Sequence, residues 1–145
     1  MQTFLPYPDF NASAACLDYR RLGKQRVEAK QIHNIVSGLA TTKGWRHHPA
    51  VLMWMGYSSS LAEYHNAMIM EWISRGYQNT LPLLESNRNN QKPFWLGDTR
   101  LHRSHQSNLL RKDFQFYSRL GWNVPPNLPY YWAATATSPT IIKAN

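Results

Sequence analysis

One cysteine, Cys16, stands in a chain of 145 residues. A lone thiol closes no internal disulfide and builds no cysteine-rich zinc site, which points to a reducing compartment. Long apolar runs are missing as well: no stretch approaches the roughly 20 residues that a membrane-spanning helix needs. Pro6, Pro8 and Asp9 follow Met1 where a secretory leader would carry a basic segment and an apolar core. Acidic residues are scarce, with 8 Asp+Glu against 16 Lys+Arg and a formal net charge of +8. Such an excess suits a polyanionic partner, nucleic acid first. No internal repeat or low-complexity tract divides the chain, so one domain over 1–145 is expected. At 43% hydrophobic and 13% aromatic, it has the apolar surface to fold rather than stay disordered. Composition and charge together lead to the expectation of a compact protein of a reducing compartment, with a polyanionic partner and no membrane.

The first ten residues, MQTFLPYPDF, read as an extended arm packed on the body. A first helix is expected from Asn11 or Ser13, both good N-caps, to about Gly38, a natural C-cap. Gly23 inside it marks a break or a close backbone approach. TTKGWRHHP reads as a loop, with Pro49 opening a short helix that runs through Met55. Ser60 and Glu63 match the S-x-x-E capping box of a further helix. Leu61, His65, Met68, Ile69, Trp72 and Ile73 follow at helical spacing, and Gly76 is its stop signal. Residues 78–97 are polar and Asn/Pro-rich loop, and a last helix covers about Leu101 to Tyr117. Tyr130, Tyr131 and Trp132 should pack as irregular structure. The fold class is all-α, with three main helices.

On a helical wheel over residues 13–39, Ala14, Leu17, Leu22, Ala29, Ile32, Ile35, Val36 and Leu39 form one apolar arc. Asp18, Arg21, Gln25 and Glu28 fall inside that same arc, one above another, and Lys24 lies at its edge. Polar residues on a core-facing stripe break the binary pattern, and such breaks gather at functional sites. Two readings stand: a ladder whose members satisfy one another at spacings of 3 and 4, or a site. In a site, Glu28 and Asp18 are the candidate acid/base groups beside Arg21 or Lys24.

The six histidines include two local groups, His47-His48 and His102-x-x-His105, the second sharing one helix face. Imidazole pairs suit zinc, iron or nickel, but no standard ligand spacing is matched. Arg46, Arg103, Arg111 and Lys112 surround these histidines, which favours phosphate or base contacts. The run RLHRSHQSNLLRKD, with Ser104 among its neutral donors, mixes charge and hydroxyls as phosphate-binding segments do. The bland alternative is a solvated basic face. His65 reads as a core histidine. Of Trp45, Trp54, Trp95 and Trp122, at most one is expected to stack on a base.

Three stretches together carry a resemblance: LDYRRL at Leu17–Leu22, HPAVLMWMGYSSSLAEYHNAMIMEWISRGYQN at His48–Asn79, and PYYW near the C-terminus. In order and size the chain resembles the small phage-type pyrimidine-dimer DNA glycosylases with AP-lyase activity, the endonuclease V type of UV repair enzyme. The resemblance implies an all-α monomer of the bacterial or phage-infected cytoplasm that kinks duplex DNA and extrudes a nucleotide from the stack. It implies a free α-amine at the N-terminus as nucleophile on the sugar C1′, forming a Schiff base. Amines of that kind titrate near about 7.7–8.0, so a useful fraction is unprotonated at neutral pH. It also implies a glutamate after the Tyr-Arg pair that stabilises the intermediate.

The sequence departs from that pattern twice. Arg21 stands where the family has its glutamate, and Gln2 is too large to expect removal of Met1. The amine then comes from Met1 or from Lys24, or the lyase step is absent, and Glu28 is the candidate replacement carboxylate. On this reading Met1, Glu28, Asp18, Arg21 and Lys24 form the catalytic set. Arg20, Gln25, Arg26, Arg46, His47, His48, Arg103, Ser104, His105, Arg111 and Lys112 hold the nucleic acid. No cofactor and no metal is needed. The alternatives are a non-catalytic DNA-binding or DNA-bending protein of the same fold, and a metal-dependent nucleic-acid enzyme built on the histidine groups.

Overall fold

The computed structural model describes residues 1–40, 44–87, 91–133 and 140–141. Residues 41–43 and 88–90, read as loop from the sequence, lie outside the described residues, as does most of the tail after Ala133. The protein is all-α, as expected. Its helices are α1 (Phe10–Cys16), α2 (Tyr19–Val36), α3 (Pro49–Leu52), α4 (Ser58–Ser74), α5 (Thr99–Lys112) and α6 (Phe114–Tyr117). A 3-10 turn follows at Ser118–Leu120, and two-residue strands, β1 (Tyr131–Trp132) and β2 (Thr140–Ile141), pair antiparallel. No described helix is long and apolar enough to cross a membrane.

The expected first helix is two. The break falls at Leu17–Asp18, not at Gly23. Asp9 caps α1 by accepting from the Ala12 amide, and Asp18 caps α2 by accepting from the Arg21 amide. The C-terminal carbonyls of α1 are met by Arg75, which donates to Ala14 and Ala15 while paired with Glu71 at 2.8 Å. Gly38 takes the left-handed conformation just past α2, with φ of 80°, as a helix stop requires.

Gly23 serves the other role foreseen for it. A Cβ there would lie 2.9 Å from Cζ3 of Trp72 on α4, so the missing side chain is what lets the two long helices meet. Trp72 cannot step aside cheaply, because its indole N–H donates to Gln78 O and Arg26 lies 4.2 Å over its ring. Gly23→Ala should therefore lower stability by about 1–2 kcal/mol, the overpacking outweighing the helix-propensity gain of about 1 kcal/mol. A denaturant titration that showed Gly23→Ala to be more stable would contradict this.

Three further expectations need correction. The Ser60–Glu63 capping box does not form: Tyr57 is the N-cap of α4, without a side-chain bond, and Ser60 is buried inside the helix. Glu63 instead pairs with Lys92. The last helix ends early, because Asp113 both closes α5 and caps α6 through the Phe116 amide. The helix opened by Pro49 ends at Leu52 rather than running through Met55.

The buried side chains form one cluster around Leu22, Ala29 and Ile32 of α2 and Leu61, Tyr64 and Met68 of α4. Trp54, Trp95, Leu101, Leu109 and Tyr117 complete it. His65 is fully buried and meets Asn66 Oδ1 at 3.0 Å, a core histidine as expected. Cys16 donates to Ser13 O, and burial pushes its thiol up to about 12, which removes it as a nucleophile.

Candidate active site

The N-terminal arm lies in a groove between α2 and α5, and residues 2–6 are buried. An extended segment inside a protein must find partners for its amides. Here side chains supply them. The Gln2 amide donates to Glu28 Oε2 at 2.8 Å, and the Phe4 amide donates to Gln25 Oε1 at 2.9 Å. Gln25 Nε2 in turn donates to Gln2 O at 2.9 Å. The Tyr64 hydroxyl lies 2.9 Å from Phe4 O and also meets Gln25 Oε1. Trp54 Nε1 donates to the Thr3 hydroxyl at 3.0 Å.

The histidine pair of α5 completes this clamp. The Leu5 amide donates to His105 Nδ1 at 2.8 Å, and His102 Nδ1 lies 2.7 Å from Leu5 O. His102 Nε2 accepts from the Gly97 amide at 2.9 Å, so its Nδ1 carries the proton and donates to Leu5. Two imidazoles at spacing 3 thus take both polar groups of one residue, as a paired strand would. Burial pushes His105 down to about 3, helped by neighbouring His102.

This arrangement delivers Met1 to a cavity of about 520 Å³. One wall is charged and comes from α2 and the end of α5: Arg20, Arg21, Lys24, Glu28 and Lys112. The lining is also aromatic, through Phe4, His48, Tyr130 and Trp132. Lys24 Nζ stands 3.5 Å from Glu28 Oε1 while three-quarters of its side chain remains in solvent. Burial, with Arg21, Arg111 and Lys24 adding to it, pushes the Lys112 ammonium below its usual value. Like charges crowded in this way favour an anionic ligand. His48 caps α3 by accepting from the Ala50 amide through Nδ1, which leaves the ring proton on Nε2. Burial first, then the Met1 α-amine, lowers its pKa against the opposing pull of Glu28.

The candidate catalytic residues divide. Met1, Arg21, Lys24 and Glu28 line the cavity, and Asp18 does not. Burial alone would raise the Asp18 carboxyl. The Tyr117 hydroxyl and the Arg21 guanidinium, 3.0 Å away, outweigh it and hold Asp18 below the usual carboxylate range. An ionised helix cap with three partners is a poor proton donor. The self-satisfying ladder is also only half present: Asp18 pairs with Arg21, whereas Gln25 and Glu28 hold the arm.

Several expected nucleic-acid contacts are engaged elsewhere. His105 and Ser104 are buried, the latter donating to Leu101 O and accepting from the Tyr131 amide. Gln25 lines the cavity, but its amide group is committed to the arm. Arg26 stacks on Trp72 and donates to Asn79 Oδ1 at 2.6 Å. Arg111 donates to Pro126 O and meets Asn108, and Arg103 donates to Asn123 O. All six side chains are engaged within the protein. Arg20, His48 and Lys112 remain at the cavity, and Arg46 and His47 are exposed in the loop before α3. Among the described residues no group of three or more His, Cys, Asp or Glu is placed to hold a metal ion.

The cavity's aromatic lining left little trace in the sequence. Phe4, Tyr130 and Trp132 read as packing residues, and their clustering near the two ends of the chain is the one signal that marks them. Comparison with curated proteins and with solved structures returned no match. The family profile described as pyrimidine dimer DNA glycosylase matches residues 1–85, which takes in the arm, α1 to α4 and all of the charged wall except Lys112. The chain belongs to the pyrimidine dimer DNA glycosylase family.

Proposed function

We propose that this protein excises pyrimidine dimers from duplex DNA by amine chemistry, with Met1 as nucleophile and Glu28 as its partner carboxylate. One observation carries the reading: Glu28 Oε2 accepts from the Gln2 amide at 2.8 Å, beside the residue that bears the amine. In the proposed reaction the amine nitrogen bonds to the sugar C1′ as the glycosidic bond breaks and its electron pair leaves with the base. Glu28 takes the proton shed by the amine and balances the positive iminium that follows ring opening. Loss of a proton from C2′ then breaks the C3′–O bond, the AP-lyase step. Arg20, Arg21 and Lys112 hold the flanking phosphates, and the extruded nucleotide occupies the cavity. The protein acts as a monomeric single domain.

The test is borohydride trapping on UV-irradiated duplex, followed by peptide mapping of the adduct. A covalent protein–DNA species mapped to Met1 is expected. Lys24, 3.5 Å from the same carboxylate, is the second candidate amine, and an adduct on its peptide would move the nucleophile there. Base release without any adduct would sink the amine mechanism and leave a water-using glycosylase. Intact DNA with strongly salt-dependent binding would favour the non-catalytic DNA-binding reading.

A further inference from the structure

Four tryptophans bear on DNA stacking, and three are occupied within the protein. Trp54 and Trp95 are buried against each other at 4.9 Å, and Trp122 stacks on Tyr117 at 5.7 Å with planes 12° apart. Trp45 differs: half of it is in solvent, and it sits directly before exposed Arg46 and His47. Its ring is not isolated from the cavity. Trp45 lies 5.6 Å from His48, and His48 stands edge-on to Trp132 at 5.9 Å. Trp132 meets Tyr130 at 5.4 Å. A row of rings therefore runs from the aromatic lining to the surface, and Trp45 is its outer end.

Extruding a nucleotide leaves neighbouring bases without a stacking partner, at a cost of a few kcal/mol. A half-exposed indole at the outer end of a ring row that reaches the cavity, next in the chain to exposed Arg46, is the kind of side chain that offsets such a loss, and it does so for any base. We propose that Trp45 is the stacking platform for a base left unstacked beside the cavity, and so a determinant of lesion recognition. This rests on the glycosylase reading above.

The test compares Trp45→Ala and Trp45→Phe with the wild type on UV-irradiated duplex. It also compares Glu28→Gln with Glu28→Gln/Trp45→Ala on duplex carrying 2-aminopurine beside the dimer. Trp45→Ala should lower kcat/KM by roughly 10- to 100-fold. Trp45→Phe should recover most of that loss, and the melting temperature should stay unchanged. The 2-aminopurine fluorescence change on binding should appear with Glu28→Gln and vanish in the double variant. Equal rates, or an equal fluorescence change in both proteins, would overturn the role of Trp45. Loss of self-association in Trp45→Ala with DNA behaviour intact would also overturn it, pointing to a protein contact. Should the wild type leave irradiated duplex intact, the glycosylase reading fails by itself. The fluorescence pair still decides Trp45 in that case.

Discussion

Glu28→Gln should lower the rate of dimer excision by about 10²–10⁴-fold, the usual range for a positioned acid/base group. It should do so with little loss of fold. The amide keeps an oxygen that accepts from the Gln2 amide, so the arm stays clamped, and the remaining arm bonds run through Gln25, Tyr64, His102 and His105. What disappears is the charge. With it goes the acceptor for the amine proton and the counter-ion to a cationic intermediate, in a cavity already crowded by Arg20, Arg21, Lys24 and Lys112. DNA affinity should hold or rise, because one negative charge has left a positive site. The measurement is single-turnover excision on UV-irradiated duplex beside a binding titration at the same salt. A rate within threefold of wild type would remove Glu28 from the chemistry and return it to a purely structural anchor of the arm.

Much of this site was legible as a violation of pattern. Gln25 and Glu28 sit on the face of α2 that also buries Leu22, Ala29 and Ile32, and local periodicity exposes polar groups so placed. What they face was not legible. Their partners are the amides of Phe4 and Gln2, which lie 21 and 26 residues away, and an extended arm carries no periodic signal. Asp18 misled for a related reason. A wheel drawn through residues 13–39 places it on the stripe, yet it is the cap between two helices. It is fixed there by Tyr117, 99 residues distant. Helix breaks set by distant side chains leave no trace in composition. The His102–His105 spacing correctly put both rings on one face, but i,i+3 geometry says nothing about what that face meets. Metal, phosphate and backbone all accept imidazole. Here the answer is the backbone of Leu5.

That answer makes the arm sensitive to acid. His105 accepts the Leu5 amide through Nδ1, a bond that exists only while the ring is neutral, and its pKa is pushed down to about 3. An unfolded histidine titrates near about 6.5. Between those values the unfolded chain binds a proton that the folded one refuses, so stability rises with pH. The contribution is full above about pH 6.5 and falls by up to about 1.4 kcal/mol per unit as the medium is acidified toward 3. His48 and His102, both lowered chiefly by burial, act in the same direction. Denaturant midpoints should therefore drop clearly from pH 7 to pH 5. Removal of the ring should have a larger effect at neutral pH. His105→Ala strands the buried Leu5 amide, for about 1–3 kcal/mol, and leaves a void beside Phe4 and Tyr130 that adds to the loss. The bonds nearest Met1, through Glu28, Gln25 and Tyr64, remain, but the arm is loosened at Leu5 and holds Met1 less firmly at the cavity, so excision should fall even at temperatures where the helices persist. His105→Asn offers an acceptor oxygen without a titrating group. It should retain more stability than His105→Ala and show a flatter pH profile between 5 and 7. If His105→Asn follows the wild-type slope, the acid sensitivity belongs to the other histidines and the clamp at Leu5 is not its source.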